Sequence, residues 1–217
     1  QIKHALELLG YEAPKPIHYS FILIKEKGKS KKMSTRKGHI VLLEDFLEKA
    51  ISKAKKELKK RKTKGDYKAV AISAIKYSIL KQNPNKSIVF NLDDALNFEG
   101  DTGPYILYTY ARASSILRKA NSKKDKIKIK KLEDLEIALV KKISQFPEIV
   151  LNAYLHSNPS AIANYSYQLA QLFNEFYHAC PVINSENESF RLALVKSFRQ
   201  VLKNSLSLLG IKTIERM

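Results

Sequence analysis

Eight apolar residues, Phe190, Leu194, Val195, Phe198, Val201, Leu202, Leu206 and Leu209, recur at helical spacing and constrain the fold more than any other pattern in the chain. Their stripe is wide enough that a helix built on it must be covered on several sides, so it predicts a buried helix of a bundle. That helix starts at Glu186 or Glu188 and stops at Gly210. Before it, Asn158 caps a helix with Pro159 at its first position, running to about Cys180. Leu132 to Leu155 reads as one helix kinked at Pro147. Pro104 opens another that runs to about Asn121, and a lysine-rich linker, Lys123 to Lys131, follows it. No repeat of 20–50 residues occurs, which favours a bundle over a solenoid.

The first hundred residues read differently. Gln1–Leu9 is helical and ended by Gly10, and a chain opening mid-helix suggests a piece of a longer protein. His18 to Ile24, after two prolines, is rich in strand formers. Lys25 to His39 has glycine and lysine but no apolar period, and reads as a loop. Ile40 to Leu43 reads either as a short strand or as the entry to the next helix. Glu44 to about Lys64 is helical, with acids first and lysines last, as the helix dipole prefers. Its apolar stripe is Phe46, Leu47, Ala50, Ile51, Ala54 and Leu58; its opposite face carries Lys49, Lys53, Lys56 and Lys60. Asp66 to Leu80 is a second helix, Asn83-Pro84-Asn85 a turn, and Ile88-Val89-Phe90 a short apolar run. Asn91 caps a short helix, Leu92 to Phe98. The expected fold is mainly α: a small α/β piece over residues 1–98, then an all-α bundle over 99–217.

With 217 residues and 44% hydrophobic content, the chain can bury a real core. Its 39 Lys and Arg give a formal net charge of +18. Residues 1–65 alone hold 18 basic and 7 acidic side chains. Lysine excess without matching glutamate points to a polyanionic partner rather than to thermophile composition. A solvated face is the ordinary reading of the Lys49/Lys53/Lys56/Lys60 row, and phosphate contact is the other. The single cysteine, Cys180, excludes an internal disulfide; it sits at a helix end and reads as packing. No Cys/His set has zinc-ligand spacing, and no metal site is expected. No apolar stretch is long enough to span a bilayer, and no signal peptide is evident, so a cytoplasmic protein without membrane contact is expected.

Three segments carry chemistry. Lys31-Lys32-Met33-Ser34-Thr35-Arg36-Lys37-Gly38 can bring ammonium and backbone N–H groups to a triphosphate, stabilising charge that develops as pyrophosphate leaves; an ordinary basic turn would look similar. Gly103-Pro104-Tyr105-Ile106-Leu107-Tyr108-Thr109-Tyr110-Ala111-Arg112 places Tyr105, Tyr108 and Arg112 on one helical face. Aromatic rings with arginine stack on unpaired bases, at about 1–3 kcal/mol per base, but tyrosines at this spacing also fill bundle cores. The third is Leu208-Leu209-Gly210-Ile211 to Ile214-Glu215-Arg216-Met217, which suggests a docked end, or a Met217 that merely packs.

In this order, the three segments resemble the arginyl-tRNA synthetase family: its Lys-Met-Ser-Thr-Arg-Lys-Gly loop, the start of its anticodon-binding domain, and its Leu-Gly-Ile…Glu-Arg-Met close. Asn164-Tyr165 through Phe173-Asn174-Glu175-Phe176-Tyr177-His178 and Arg191-Leu192-Ala193-Leu194-Val195 fit as well. The resemblance implies a class I enzyme that joins L-arginine to tRNA(Arg) through an arginyl adenylate, with ATP and Mg²⁺. Lys32, Met33, Ser34 and Arg36 would belong to the catalytic loop, with Lys32 and Ser34 on ATP. Thr35 stands where many class I enzymes have a second lysine, so Arg36 or Lys37 would take that role. Tyr105, Tyr108, Tyr177 and Met217 would lie near the anticodon loop, while Arg112 reads equally as a helix-packing ion-pair partner or an RNA contact.

The family's His-x-Gly-His motif is not in these 217 residues, and neither are its arginine pocket and tRNA-elbow domain. Part of an active site cannot bind the transition state, so this chain alone is expected to make no adenylate and to carry neither ATP nor Mg²⁺. A monomer is expected. The alternatives are a related class I synthetase, such as the cysteinyl or methionyl enzyme, and a free-standing helical RNA-binding or scaffold protein.

Overall fold

The computed structural model describes residues 1–26, 29–31, 42–63, 65–120, 129 and 131–217. The signature segment, Lys32 to Gly38, lies outside the described residues, as does Lys123 to Lys128 of the expected linker.

A short helix, α1 (Ile2–Leu8), ends before Gly10, whose φ of 77° lets the chain turn away. Strand β1 (Ile22–Glu26) is the centre of a three-stranded sheet of order β2-β1-β3. β2 (Lys29–Lys31) pairs with it antiparallel, and β3 (Ile88–Phe90) pairs parallel, Ile22 opposite Ile88 and Ile24 opposite Phe90. The strand therefore begins four residues later than its composition predicts. Residues 18–21 are rich in strand formers but are not strand, although Ser20 N–H donates to the Pro84 carbonyl and Ile88 N–H to that of Phe21; Tyr19 and Phe21 are exposed. Conversely, Lys29–Lys31 is a strand where a loop is expected, because backbone pairing needs no apolar side chains. A parallel pair requires a crossover, and here it contains α2 (Leu43–Lys60) and α3 (Tyr67–Leu80).

Small residues bring these two helices together. Ala50, Ala54 and Leu58 of α2 and Val70, Ala71 and Ala74 of α3 are buried. The Asp66 side chain accepts from the Ala69 N–H at 3.0 Å and caps α3. Phe46 meets Phe90 edge-on, with centroids 5.4 Å apart, and ties α2 to the sheet. Asn91 caps α4 (Leu92–Ala95), and Thr102 caps α5 (Gly103–Lys119), with Pro104 in the first turn.

The bundle is built from α5, α6 (Asp134–Ser144), α7 (Phe146–Leu155), α8 (Pro159–Ala179) and α9 (Glu188–Leu208). Residues expected as one kinked helix form two, α6 and α7, meeting at Gln145. Pro147 has no N–H to give the carbonyl of Ile143, and the ladder breaks there. Phe173 of α8 stacks on Phe198 of α9, with centroids 3.8 Å apart and planes 8° off parallel. The Glu136 side chain reaches back to the Glu133 N–H to close a capping box on α6. The same buried carboxylate receives Nε of Arg191 on α9 at 2.6 Å. A second arm of Arg191 donates to the Pro181 carbonyl at 2.7 Å.

The α/β piece and the bundle share one core. Gly103 lies on the backbone of α3. The Tyr77 hydroxyl donates to the Asp101 carboxylate, which also holds Lys81 at 3.0 Å. Lys76 donates to the carbonyl of Gly210, just past α9. Gly210 itself has φ of 64°, the left-handed conformation expected of a helix-ending glycine.

Candidate nucleic-acid interface

Two charged grooves of the described surface contain residues expected from the sequence to meet tRNA. The larger, about 640 Å³, runs between the C-terminal half of α5, the end of α8 and the last residues of the chain. Its lining includes Tyr108, Arg112, Tyr177 and Met217. α5 presents Tyr108 and Arg112 four residues apart on one face, and α8 brings Tyr177 beside them. The Arg112 guanidinium lies 5.0 Å from the Tyr108 ring centroid and 5.3 Å from that of Tyr177. Each ring is more than one-third exposed, at 37% and 38%.

Arg112 is held by a neutral amide rather than by the ion pair its sequence context allows. Its Nη1 donates to Asn174 Oδ1 at 2.5 Å. Asn174 Nδ2 donates to the Tyr105 hydroxyl at 2.8 Å and to Thr109 Oγ1 at 3.0 Å. Among the described residues, the positive charge on Arg112 is thus oriented without being neutralised. Arg118, Lys119 and Arg216 add three more cations to the groove, and no carboxylate of the described residues lines it. Pro181, Val182, Ile183 and Met217 give it apolar walls. Cationic edges, flat exposed rings and apolar walls together suit splayed nucleotides, whose phosphates need charge and whose bases need π-faces.

Tyr105 does not line this groove, although it is on the expected helical face. Its ring is half-buried, 5.7 Å from the centroid of Tyr167, and its hydroxyl serves the Asn174 network. Nothing in the sequence singles out Asn174, a polar residue at an inward position of an apolar helix.

The second groove, about 480 Å³, contains Lys53, Lys56 and Lys60 of the lysine row. It is less uniformly cationic than the α2 sequence alone suggests. Asp93, in the first turn of α4, takes Lys53 at 2.6 Å, and Glu57 takes Lys60 at 2.7 Å. Asp94 also lines it, and Arg61 lies over the Phe98 ring at 4.6 Å. Lys49 and Lys56 are exposed, and neither makes an ion pair with the described residues. Among the described residues, no group of His, Cys, Asp and Glu is arranged to hold a metal ion, and no helix is long and apolar enough to cross a membrane.

Burial raises the pKa of Tyr77 first, with the Asp101 hydrogen bond and charge adding to it. Burial also pushes up Tyr165, Tyr167 and the Cys180 thiol, and lowers Lys142. A buried thiol held protonated is a poor nucleophile, consistent with Cys180 as a packed side chain.

An all-α bundle with a cationic aromatic groove, fused to a parallel strand pair and its crossover helices, defines the C-terminal region of a class I aminoacyl-tRNA synthetase. Residues 106–217 match the family described as the DALR anticodon binding domain, and residues 1–92 match the class I (R) tRNA synthetase catalytic domain. The chain belongs to the DALR anticodon-binding family, in its arginyl-tRNA synthetase form.

Among curated relatives, it is 38% identical to arginine–tRNA ligase of Clostridium perfringens, over 100% of this chain and 40% of that protein. It is 41% identical to the Pyrococcus abyssi ligase, over 100% of this chain and 37% of that one. The solved arginyl-tRNA synthetase of Thermus thermophilus superposes with a TM-score of 0.83 at 35% identity, covering 92% of this chain and 35% of that one. That of Plasmodium falciparum gives 0.76 at 31%, covering 92% and 34%. The chain thus spans about two-fifths of the length of the curated relatives it matches.

Proposed function

We propose that the protein to which this chain belongs ligates L-arginine to tRNA(Arg) through an arginyl adenylate, and that these residues supply tRNA recognition. Lys49 and Lys56, with the partly paired Lys53 and Lys60, attract the phosphate backbone through long-range charge. Bases of the anticodon loop then stack against Tyr108 and Tyr177 in the α5–α8 groove, with Arg112 and Met217 beside them. Tyr105 contributes indirectly, by orienting Asn174 and through it Arg112. The observation that supports this reading is the pair of exposed rings, both within 5.3 Å of a guanidinium that no carboxylate among the described residues neutralises.

Chemistry at the other end of the reaction is assigned to the signature segment. Lys32, Met33, Ser34 and Arg36 help ATP, with Mg²⁺, activate arginine, with Lys32 and Ser34 on the triphosphate. The working protein is cytoplasmic and monomeric. The test is a filter-binding titration of the 217-residue chain with tRNA(Arg) against a non-cognate tRNA. Tighter binding of tRNA(Arg) supports the reading. Equal affinity for both, or no binding, overturns it.

A further inference from the structure

We propose that Arg118 is a positioning residue: it latches the strap 211–217 so that Met217 stands as a wall of the α5–α8 groove. The inference rests on the tRNA-recognition reading above. Ile211 and Ile214 are buried, 3% and 7% exposed, and they anchor the start of the strap. Beyond Ile211, whose N–H donates to the Leu206 carbonyl at 2.8 Å, the strap makes no backbone–backbone hydrogen bond among the described residues.

After Ile214 the chain bends at Glu215, and two cations meet it there. Arg118 Nη1, in the last turn of α5, donates to the Glu215 carbonyl at 2.9 Å. Arg199 Nη1 of α9 stands 3.9 Å from the Glu215 carboxylate. Of the two, only Arg118 grips the backbone, and a charged donor on a carbonyl fixes geometry better than an exposed ion pair at that distance. The bend directs Met217 back toward the α/β piece. A Cβ on Gly65 would lie 3.5 Å from Met217 Cγ. Glu215 and Arg216 are exposed and Met217 is only half-buried against the core, so without the latch this segment has little else to hold its bend, and weakly packed segments open locally.

A guanidinium beside an RNA groove would ordinarily be read as a phosphate ligand, and two measurements separate the roles. Amide exchange over 212–217 and tRNA(Arg) affinity across a salt series are followed in the 217-residue chain, in Arg118→Met and in Arg118→Lys. The latch predicts faster exchange of 212–217 in Arg118→Met, with affinity about tenfold weaker and an unchanged salt slope. Lysine, which still offers a charged donor to the carbonyl, restores protection and most of the affinity. Unchanged exchange in Arg118→Met overturns the proposal. So does a salt slope reduced by about one with protection intact, since that marks a phosphate contact. If the unsubstituted chain binds no tRNA, the recognition reading fails by itself, and the exchange comparison still decides whether Arg118 holds the strap.

Discussion

Gly103 and Ser73 leave no room between them: a Cβ on Gly103 would stand 2.4 Å from the carbonyl oxygen of Ser73. The first turn of α5 therefore lies on the backbone of α3, and at this point the bundle meets the α/β piece main chain to main chain. Alanine at 103 would have to push the two helices apart. Gly103→Ala is expected to cost about 1–3 kcal/mol or more, as overpacking does, read as a lower urea midpoint.

Tyr177→Ala is expected to weaken tRNA(Arg) binding by about 1–3 kcal/mol, the value of one stacked base, with little change in salt slope. Replacing Lys49 and Lys56 by glutamine should do the reverse, flattening the slope by about 1–2 units. Salt-dependent filter binding separates the two. Unchanged affinity in both variants would remove the assigned surface.

The buried Glu136–Arg191 pair is expected to behave asymmetrically. Glu136→Ala strands a guanidinium that is nearly inaccessible to water and should cost about 3–5 kcal/mol. Glu136→Leu together with Arg191→Met should be much milder than either single change, since no charge is left buried. Urea unfolding of the double-mutant cycle reads this directly.

Tyr77 gives a pH dependence with a definite sign. Its folded pKa lies above the ordinary value of 10.0. Between the two values, the folded state holds a proton that the unfolded state releases, so stability falls as pH rises past about 10. Below that pH the contribution is fully present. The loss can approach 1.4 kcal/mol per pH unit for one such group. Tyr77→Phe should be less stable at pH 7 yet show a shallower alkaline decline in thermal midpoint. An equally steep decline would assign the effect to Tyr165, which burial also raises.

The 217-residue chain alone is expected to show no arginine-dependent exchange between ATP and pyrophosphate, because no His-x-Gly-His segment occurs in it. Exchange above background would refute this.

Much of the helical architecture was legible because it is written in local chemistry. Asn91, Thr102 and Asn158 sit at helix starts and accept from the first-turn N–H groups. Gly210 ends the last helix in the left-handed conformation that favours glycine. Features made of partners distant in sequence were harder to read. Lys29–Lys31 pairs through its backbone and leaves no pattern. Asp93 meets Lys53 across forty residues, so the lysine row looks more cationic in sequence than in space. Tyr105 and Tyr108 are indistinguishable by spacing; Asn174 and Tyr167 on α8 meet Tyr105, while Tyr108 lines the groove. Glu136 and Arg191 each read as ordinary surface charges until α6 and α9 pack.

The parallel pairing of Ile22 with Ile88 has a consequence for synthesis on the ribosome. The central strand emerges first, and its parallel neighbour is not made until sixty-six residues later. At about 5–20 residues per second that is a wait of roughly 3–13 s. Through that interval the α2–α3 hairpin, like the β1–β2 ladder, can begin to order, from contacts near in sequence. It then carries the arriving strand back to the waiting one.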